Sequence, residues 1–147
     1  MVILVNKWDL ASGTNVSAEL YKEDMYAEFK DLQHYPILFV SALTKRRVSN
    51  ILEKAWETFT IQKEKLSTKD LNVWIEKAVK NYPPPATQGK SIKVKFVEQV
   101  QQSPPIFALF SNYPKLISIQ YLRYLHNQLR ESFDLKGITI KFSLRKG

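Results

Sequence analysis

The spacing of apolar positions changes along this chain, and the change divides it in two. Val2–Val5 is an unbroken apolar run, as in a parallel strand covered on both faces. Ser17 then offers an N-cap, and Leu20, Tyr21, Phe29 and Leu32 are among the apolar positions of the helix expected to follow. After Pro36, Ile37–Val40 repeats the buried-strand pattern. Ser49 is placed to cap the next helix, in which Ile51, Leu52, Ala55, Trp56 and Phe59 recur at helical spacing. The resulting β-α-β-α order implies a parallel sheet with right-handed crossovers, of which two strands form only an edge.

Beyond about residue 66 the rhythm differs. Ser67-Thr68-Lys69-Asp70 resembles a capping signal, and Leu71, Trp74, Ile75, Ala78 and Val79 give the helix behind it one apolar face. Three prolines, Pro83 to Pro85, stop it. Ser91–Phe96 alternates with period two, Gln101–Pro105 reads as a turn, and Ile106–Phe110 as a second strand. Ser111-Asn112-Tyr113-Pro114 breaks that strand. A long helix is expected from about Ser118 to Phe133, with Ile119, Leu122, Leu125, Leu129 and Phe133 inward and Gly137 ending the segment. Ile138–Leu144 alternates again. The order α-β-β-α-β predicts a three-stranded sheet with helices on its apolar face, so the fold class is α/β followed by α+β, divided as 1–66 and 67–147.

Charge sharpens the division. Residues 1–66 carry nine Lys/Arg and nine Asp/Glu, whereas residues 67–147 carry thirteen against five, the whole net charge of +8. A compact basic body attracts polyanions, and such binding weakens with salt. With no cysteine in 147 residues, disulfides and thiolate metal sites are excluded. His34 and His126 lack partners at metal-ligand spacing and are expected to be surface or packing residues. No apolar run approaches the roughly 18 residues of a membrane helix, and the start does not read as a secretory leader, so a cytoplasmic protein without membrane partner is expected.

Candidate chemistry lies at the ends of the first two strands. Asn6-Lys7-Trp8-Asp9 ends one apolar run, and Ser41-Ala42 ends the next. Ligands of open parallel sheets bind at the carboxyl ends of strands. Guanine presents two N–H donor groups on one edge, which a carboxylate such as Asp9 accepts with both oxygens. Asn6 can bond the other edge and tie neighbouring loops together. The stem of Lys7 can cover the flat face of the base, and a backbone N–H of the Ser41-Ala42-Leu43 segment can reach the guanine carbonyl. The four-residue pattern alone equally describes a polar strand end leading into a loop.

VNKWDL followed by PILFVSALTKRRV resembles the second GTPase domain of the Der (EngA) family, bacterial double GTPases of ribosome assembly. KNYPPP, SIKVKFVEQVQQSPPIFALFSNYPKL and YLRYLHNQLRESFDLKGITIKFSLRKG resemble the carboxy-terminal K-homology-like (KH-like) domain of the same family, so the resemblance spans essentially the whole chain. It implies the end of a P-loop GTPase domain, a KH-like domain, GTP or GDP as ligand, and the large ribosomal subunit and its rRNA as partners. Two departures stand out. Many GTPases have a glycine after the Ser-Ala-x-Thr segment, where this chain has Lys45-Arg46-Arg47. G-x-x-x-x-G-K-[ST] and the magnesium-side Asp-x-x-Gly are both absent, and they carry the phosphate and metal contacts of phosphoryl transfer. The chain is therefore expected to be a piece of a longer protein. It should keep the guanine contacts, leave magnesium to an upstream part, dock on the preceding GTPase domains, and hydrolyse no GTP alone.

In the second half, alternation places Lys93 and Lys95 opposite Ile92, Val94 and Phe96, and Lys141 and Arg145 opposite Ile138, Ile140, Phe142 and Leu144. Arg123, Asn127 and Arg130 share one stripe of the long helix. Lys93, Lys95, Arg123, Arg130, Lys141 and Arg145 are thus the candidate RNA contacts, of the phosphate-positioning kind. The Gly-x-x-Gly loop of single-strand-binding KH domains is missing, and Asn112–Leu116 stands in its place. Three readings stay open: a ribosome-assembly GTPase piece, a free-standing basic RNA-binding module, and an intramolecular interaction domain.

Overall fold

A computed structural model describes all of residues 1–147 and divides them into two compact units. The first comprises Met1–Ile61 and Lys136–Ile138, and the second Gln62–Leu135 and Thr139–Gly147.

In the first unit, β1 (Ile3–Val5) pairs in parallel with β2 (Ile37–Phe39), in the register Ile3 to Ile37 and Val5 to Phe39. The ladder continues past the strands: Val40 N–H donates to Val5 O (2.9 Å) and Trp8 N–H to Val40 O (3.0 Å). Between the strands lies α1 (Ala18–Glu28), whose N-cap Ser17 accepts from Leu20 N–H. Trp8, Tyr21 and Phe39 meet ring on ring, with centroids 4.3 to 6.0 Å apart, and pack α1 onto the sheet. The helix is shorter than the apolar pattern predicts: Phe29 sits at its C-cap and Leu32 in a separate 3-10 turn, Lys30–His34.

After β2, α2 (Ser49–Lys63) begins at Ser49 itself. Its expected apolar face is not covered. Leu52 is 77% exposed and Trp56 69%, while Thr58 is the helix's one buried residue. The reason is size: three-residue strands are about 10 Å long, and a fifteen-residue helix about 22 Å. Gly137 lies against this unit's core. Its N–H donates to His34 O (2.8 Å), its φ is +76°, and a Cβ there would sit 3.1 Å from Pro36 and Thr58.

The second unit runs α3 (Thr68–Asn81), β3 (Val94–Gln101), β4 (Ile106–Ser111), α4 (Ile119–Phe133), β5 (Lys141–Lys146), the expected order. Its sheet is ordered β3-β4-β5, antiparallel then parallel, with β4 central and Phe107, Ala108 and Leu109 fully buried. Ser67 caps α3 as expected, and Leu71, Trp74, Ile75 and Ala78 form its buried face.

Three expectations are corrected. First, the phase of β3 shifts: an irregularity between Val94 and Phe96 leaves Lys95 without a partner, so Val97 and Gln99 are buried and Phe96 is exposed, where unbroken alternation put Phe96 inward. Second, in α4 Ile119 is exposed and Tyr121 takes the buried position with Leu125 and Leu129. The Tyr121 hydroxyl donates to Tyr82 O, a carbonyl that the end of α3 leaves open, and the Tyr124 hydroxyl donates to Ala78 O, which also accepts from Tyr82 N–H. Burial pushes both hydroxyls above their ordinary pKa, first by desolvation, then by neighbouring Tyr124 and Tyr82 for Tyr121 and by Glu131 for Tyr124. Third, α4 runs to Phe133 as expected, but its left-handed cap is Asp134 and not Gly137, and β5 begins only at Lys141 where alternation started at Ile138.

Two amides lock this arrangement. On α3, Asn72 accepts from Val97 N–H (3.0 Å) and donates to Val97 O (3.3 Å), so one carboxamide stands in for a neighbouring strand at the edge of β3. Buried Gln99 accepts from Leu66 N–H (2.8 Å), tying the chain ahead of α3 to the sheet.

Substituting Gly137→Ala forces a left-handed alanine against Pro36 and Thr58, and should cost about 2–4 kcal/mol in urea unfolding. Asn72→Ala strips Val97 of both partners and should lower stability by about 1–2 kcal/mol, net of alanine's better helix propensity.

Candidate functional site

The first site is a corner between β1 and β2. Lys7 adopts a left-handed conformation (φ 60°, ψ 32°), turning the chain sharply into the 3-10 turn Trp8–Ala11. Leu10 N–H closes that turn on Lys7 O (3.0 Å), and the Trp8 N–H bond to Val40 holds its start. Asp9 is thereby brought to the end of β2. There the Ser41 hydroxyl donates to Asp9 Oδ1 at 2.5 Å, and Ser41 Oγ accepts from Thr44 N–H at 3.2 Å. Ser41 is 1% exposed and is thus the buried link between half-buried Asp9 and exposed Thr44.

Asn6 is fixed from the same side. Its Oδ1 accepts from Ala42 N–H (3.1 Å), which leaves its NH2 group as an outward donor. Asn6 thus engages one of the backbone N–H groups of the Ser41–Leu43 segment. Leu43 stands at the loop tip, 84% exposed. The loop closes where Ser41 N–H donates to Arg46 O (3.2 Å). Lys45 (φ 57°) and Arg47 (φ 59°) adopt the left-handed conformation that glycine usually supplies, so the basic residues meet the loop's demand at a steric cost. Asn6, Lys7, Asp9, Ser41, Ala42 and Leu43 therefore converge at the carboxyl ends of two parallel strands. They offer a carboxylate acceptor, an amide donor and an aliphatic stem.

The second candidate surface is less unified. Lys141 and Arg145 lie opposite Ile106 and Phe110 in register and share the sheet's outer face. Lys93 and Lys95 are exposed at the start of β3, and Asn112 holds the chain there by accepting from Lys93 N–H (2.8 Å) and donating to Ser91 O (3.0 Å). Arg123 and Arg130 lie apart from these four: α4 packs on the inner face, where His126 meets Phe142 at 4.7 Å. Arg130 also donates to Leu135 O (2.9 Å), closing the end of its own helix. The alternation pattern missed the outward ring of Phe96. The signal for it is the adjacent apolar pair Phe96-Val97, which breaks period two.

The second unit's helix and strand order defines a KH-like α+β domain. The family described as the KH-domain-like of EngA bacterial GTPase enzymes, C-terminal, matches residues 65–145, and the chain belongs to this family. GTPase Der of Amoebophilus asiaticus is 40% identical over 146 residues, 99% of this chain and 34% of that protein. GTPase Der of Fusobacterium nucleatum is 41% identical over 144 residues, 97% of this chain and 33% of its own length. GTPase Der of Flavobacterium johnsoniae is 39% identical over 146 residues. The chain spans about a third of the length of the curated relatives it matches. No helix is long and apolar enough to cross a membrane.

Ser41→Ala removes the donor to Asp9 and the acceptor for Thr44 N–H. We expect a loss of about 1–2 kcal/mol in the first unit, read as a shifted Thr44 amide resonance and a lower urea midpoint for that unit's resonances.

Proposed function

We propose that residues 1–66 are the base-reading end of a GTP-binding domain, and that residues 67–147 form a KH-like domain contacting ribosomal RNA or neighbouring domains. The observation that carries the guanine reading is the Asp9 carboxylate, held by Ser41 at the strand ends beside the outward NH2 group of Asn6. A carboxylate matches the two N–H groups of guanine, and adenine lacks that pair. Lys7 lays its stem on the base, and Ala42 and Leu43 frame the carbonyl edge. The names of the relatives support GTP or GDP as the ligand. The chemistry of hydrolysis needs phosphate and magnesium contacts that these 147 residues do not contain, so the chain contributes recognition, and magnesium belongs with residues outside it.

The second unit's basic residues support a role in assembly of the large ribosomal subunit in the cytoplasm. Arg145 and Lys141 line the outer sheet face, with Lys93 and Lys95 exposed at its edge strand. These charges position an RNA backbone without reading its sequence.

In heteronuclear NMR spectra, millimolar GDP should shift the amides of residues 6–9 and 41–44, and ADP should not. Asp9→Asn presents an N–H group where guanine does too, so it should weaken GDP binding at least about tenfold and favour xanthosine diphosphate, whose second carbonyl accepts from it. Equal responses to GDP and ADP would refute the guanine reading. For the second unit, Lys93→Glu, Lys95→Glu and Arg145→Glu together should weaken ribosomal RNA binding and flatten its salt dependence by about one log-log unit per lost phosphate contact.

A further inference from the structure

The outer face of the three-stranded sheet carries one cross-strand row that charge alone does not explain. Phe96 on edge strand β3 lies opposite Phe110 on β4, and Phe110 opposite Arg145 on β5. The two rings stack almost in parallel, with centroids 4.1 Å apart and planes at 14°. The guanidinium carbon of Arg145 lies 6.0 Å from the Phe110 ring centre. Phe96 is 39% exposed although it sits in regular secondary structure. The irregularity at Lys95 is what turns it outward.

We propose that this row is a stacking platform for an unpaired base of single-stranded RNA. The base extends the Phe96–Phe110 stack, and Arg145 and Lys95 meet the flanking phosphates. The inference rests on the RNA reading above and narrows it, because phosphate positioning serves paired and unpaired RNA alike. A ring platform serves only a base whose flat face is free, and stacking is tolerant of sequence because every base has such a face. Charge selects the occupant. Lys141 and Arg145 share the face with the rings, Lys95 is exposed beside Phe96, and Glu98, opposite Ala108, opposes them. A duplex keeps its base faces covered and gains nothing from the rings. The missing Gly-x-x-Gly loop removes the usual KH route to a single strand, and this row lies on the sheet rather than between helices.

Fluorescence anisotropy of the full 147-residue chain with a labelled ten-nucleotide oligouridine and with a loop-free, blunt-ended RNA duplex of equal charge, at low and moderate salt, tests this. Phe96→Ala should weaken oligouridine binding about five- to tenfold and leave duplex binding unchanged, while Phe96→Tyr should bind like the parent. An abasic oligonucleotide should bind parent and Phe96→Ala equally. Circular dichroism melting confirms that each variant is folded. Oligouridine binding unaffected by Phe96→Ala, with Arg145→Glu still weakening both RNAs, overturns the platform and spares the broader RNA reading. Absence of any salt-dependent RNA binding overturns both.

Discussion

The second unit depends on how the edge of β3 is satisfied. Lys95 has no partner across the sheet, and the strand's phase reverses there. Everything after it follows: Val97 and Gln99 turn to the core, and Phe96 turns to solvent. A reversed strand leaves the N–H and C=O of Val97 pointing off the sheet, where unmet groups would cost stability and invite a foreign strand. Asn72 meets both from α3, and Gln99 uses its inward position to hold Leu66. One irregularity thus sets the core, the protected edge and the outward aromatic row.

The first unit shows a similar economy at smaller scale. Six residues form the corner, and three hydrogen bonds determine their roles. Ser41 holds the carboxylate, Thr44 holds Ser41, and Ala42 orients the Asn6 amide. A loop built on lysine and arginine in left-handed conformations tolerates strain because the bond from Ser41 N–H to Arg46 closes it. The unpacked face of α2, with Leu52 and Trp56 exposed, shows that the two short strands do not supply the whole area the helix needs. A unit whose chemistry is well placed is therefore incompletely covered.

The two units divide the proposed work by chemistry. One offers a carboxylate and an amide to a neutral base. The other offers cations and rings to a polyanion. Membership of the EngA family joins these in one chain, and relatives three times its length carry the name GTPase Der.

The order of elements, the N-caps Ser17 and Ser67 and the convergence of Asp9 with Ser41 were legible in the sequence, because each depends on local period or on the placement of a strand end. Alternation also placed Lys141 and Arg145 on the outer face, where the regular β4–β5 register holds them. What the pattern could not supply was phase and contact. Phe96 was counted inward because alternation has no memory of a bulge, and Ile119 was counted inward because a helical face one position wide cannot be told from its neighbour. Leu52 and Trp56 were counted inward because burial needs a surface of matching length as well as an apolar side chain. Gly137 was read as a helix stop, yet its positive φ serves a close approach to Pro36 and Thr58 far away in sequence. Local composition determines which element forms and what chemistry its end carries. Only the packed structure decides which side of that element meets the core, since that depends on partners the local sequence does not contain.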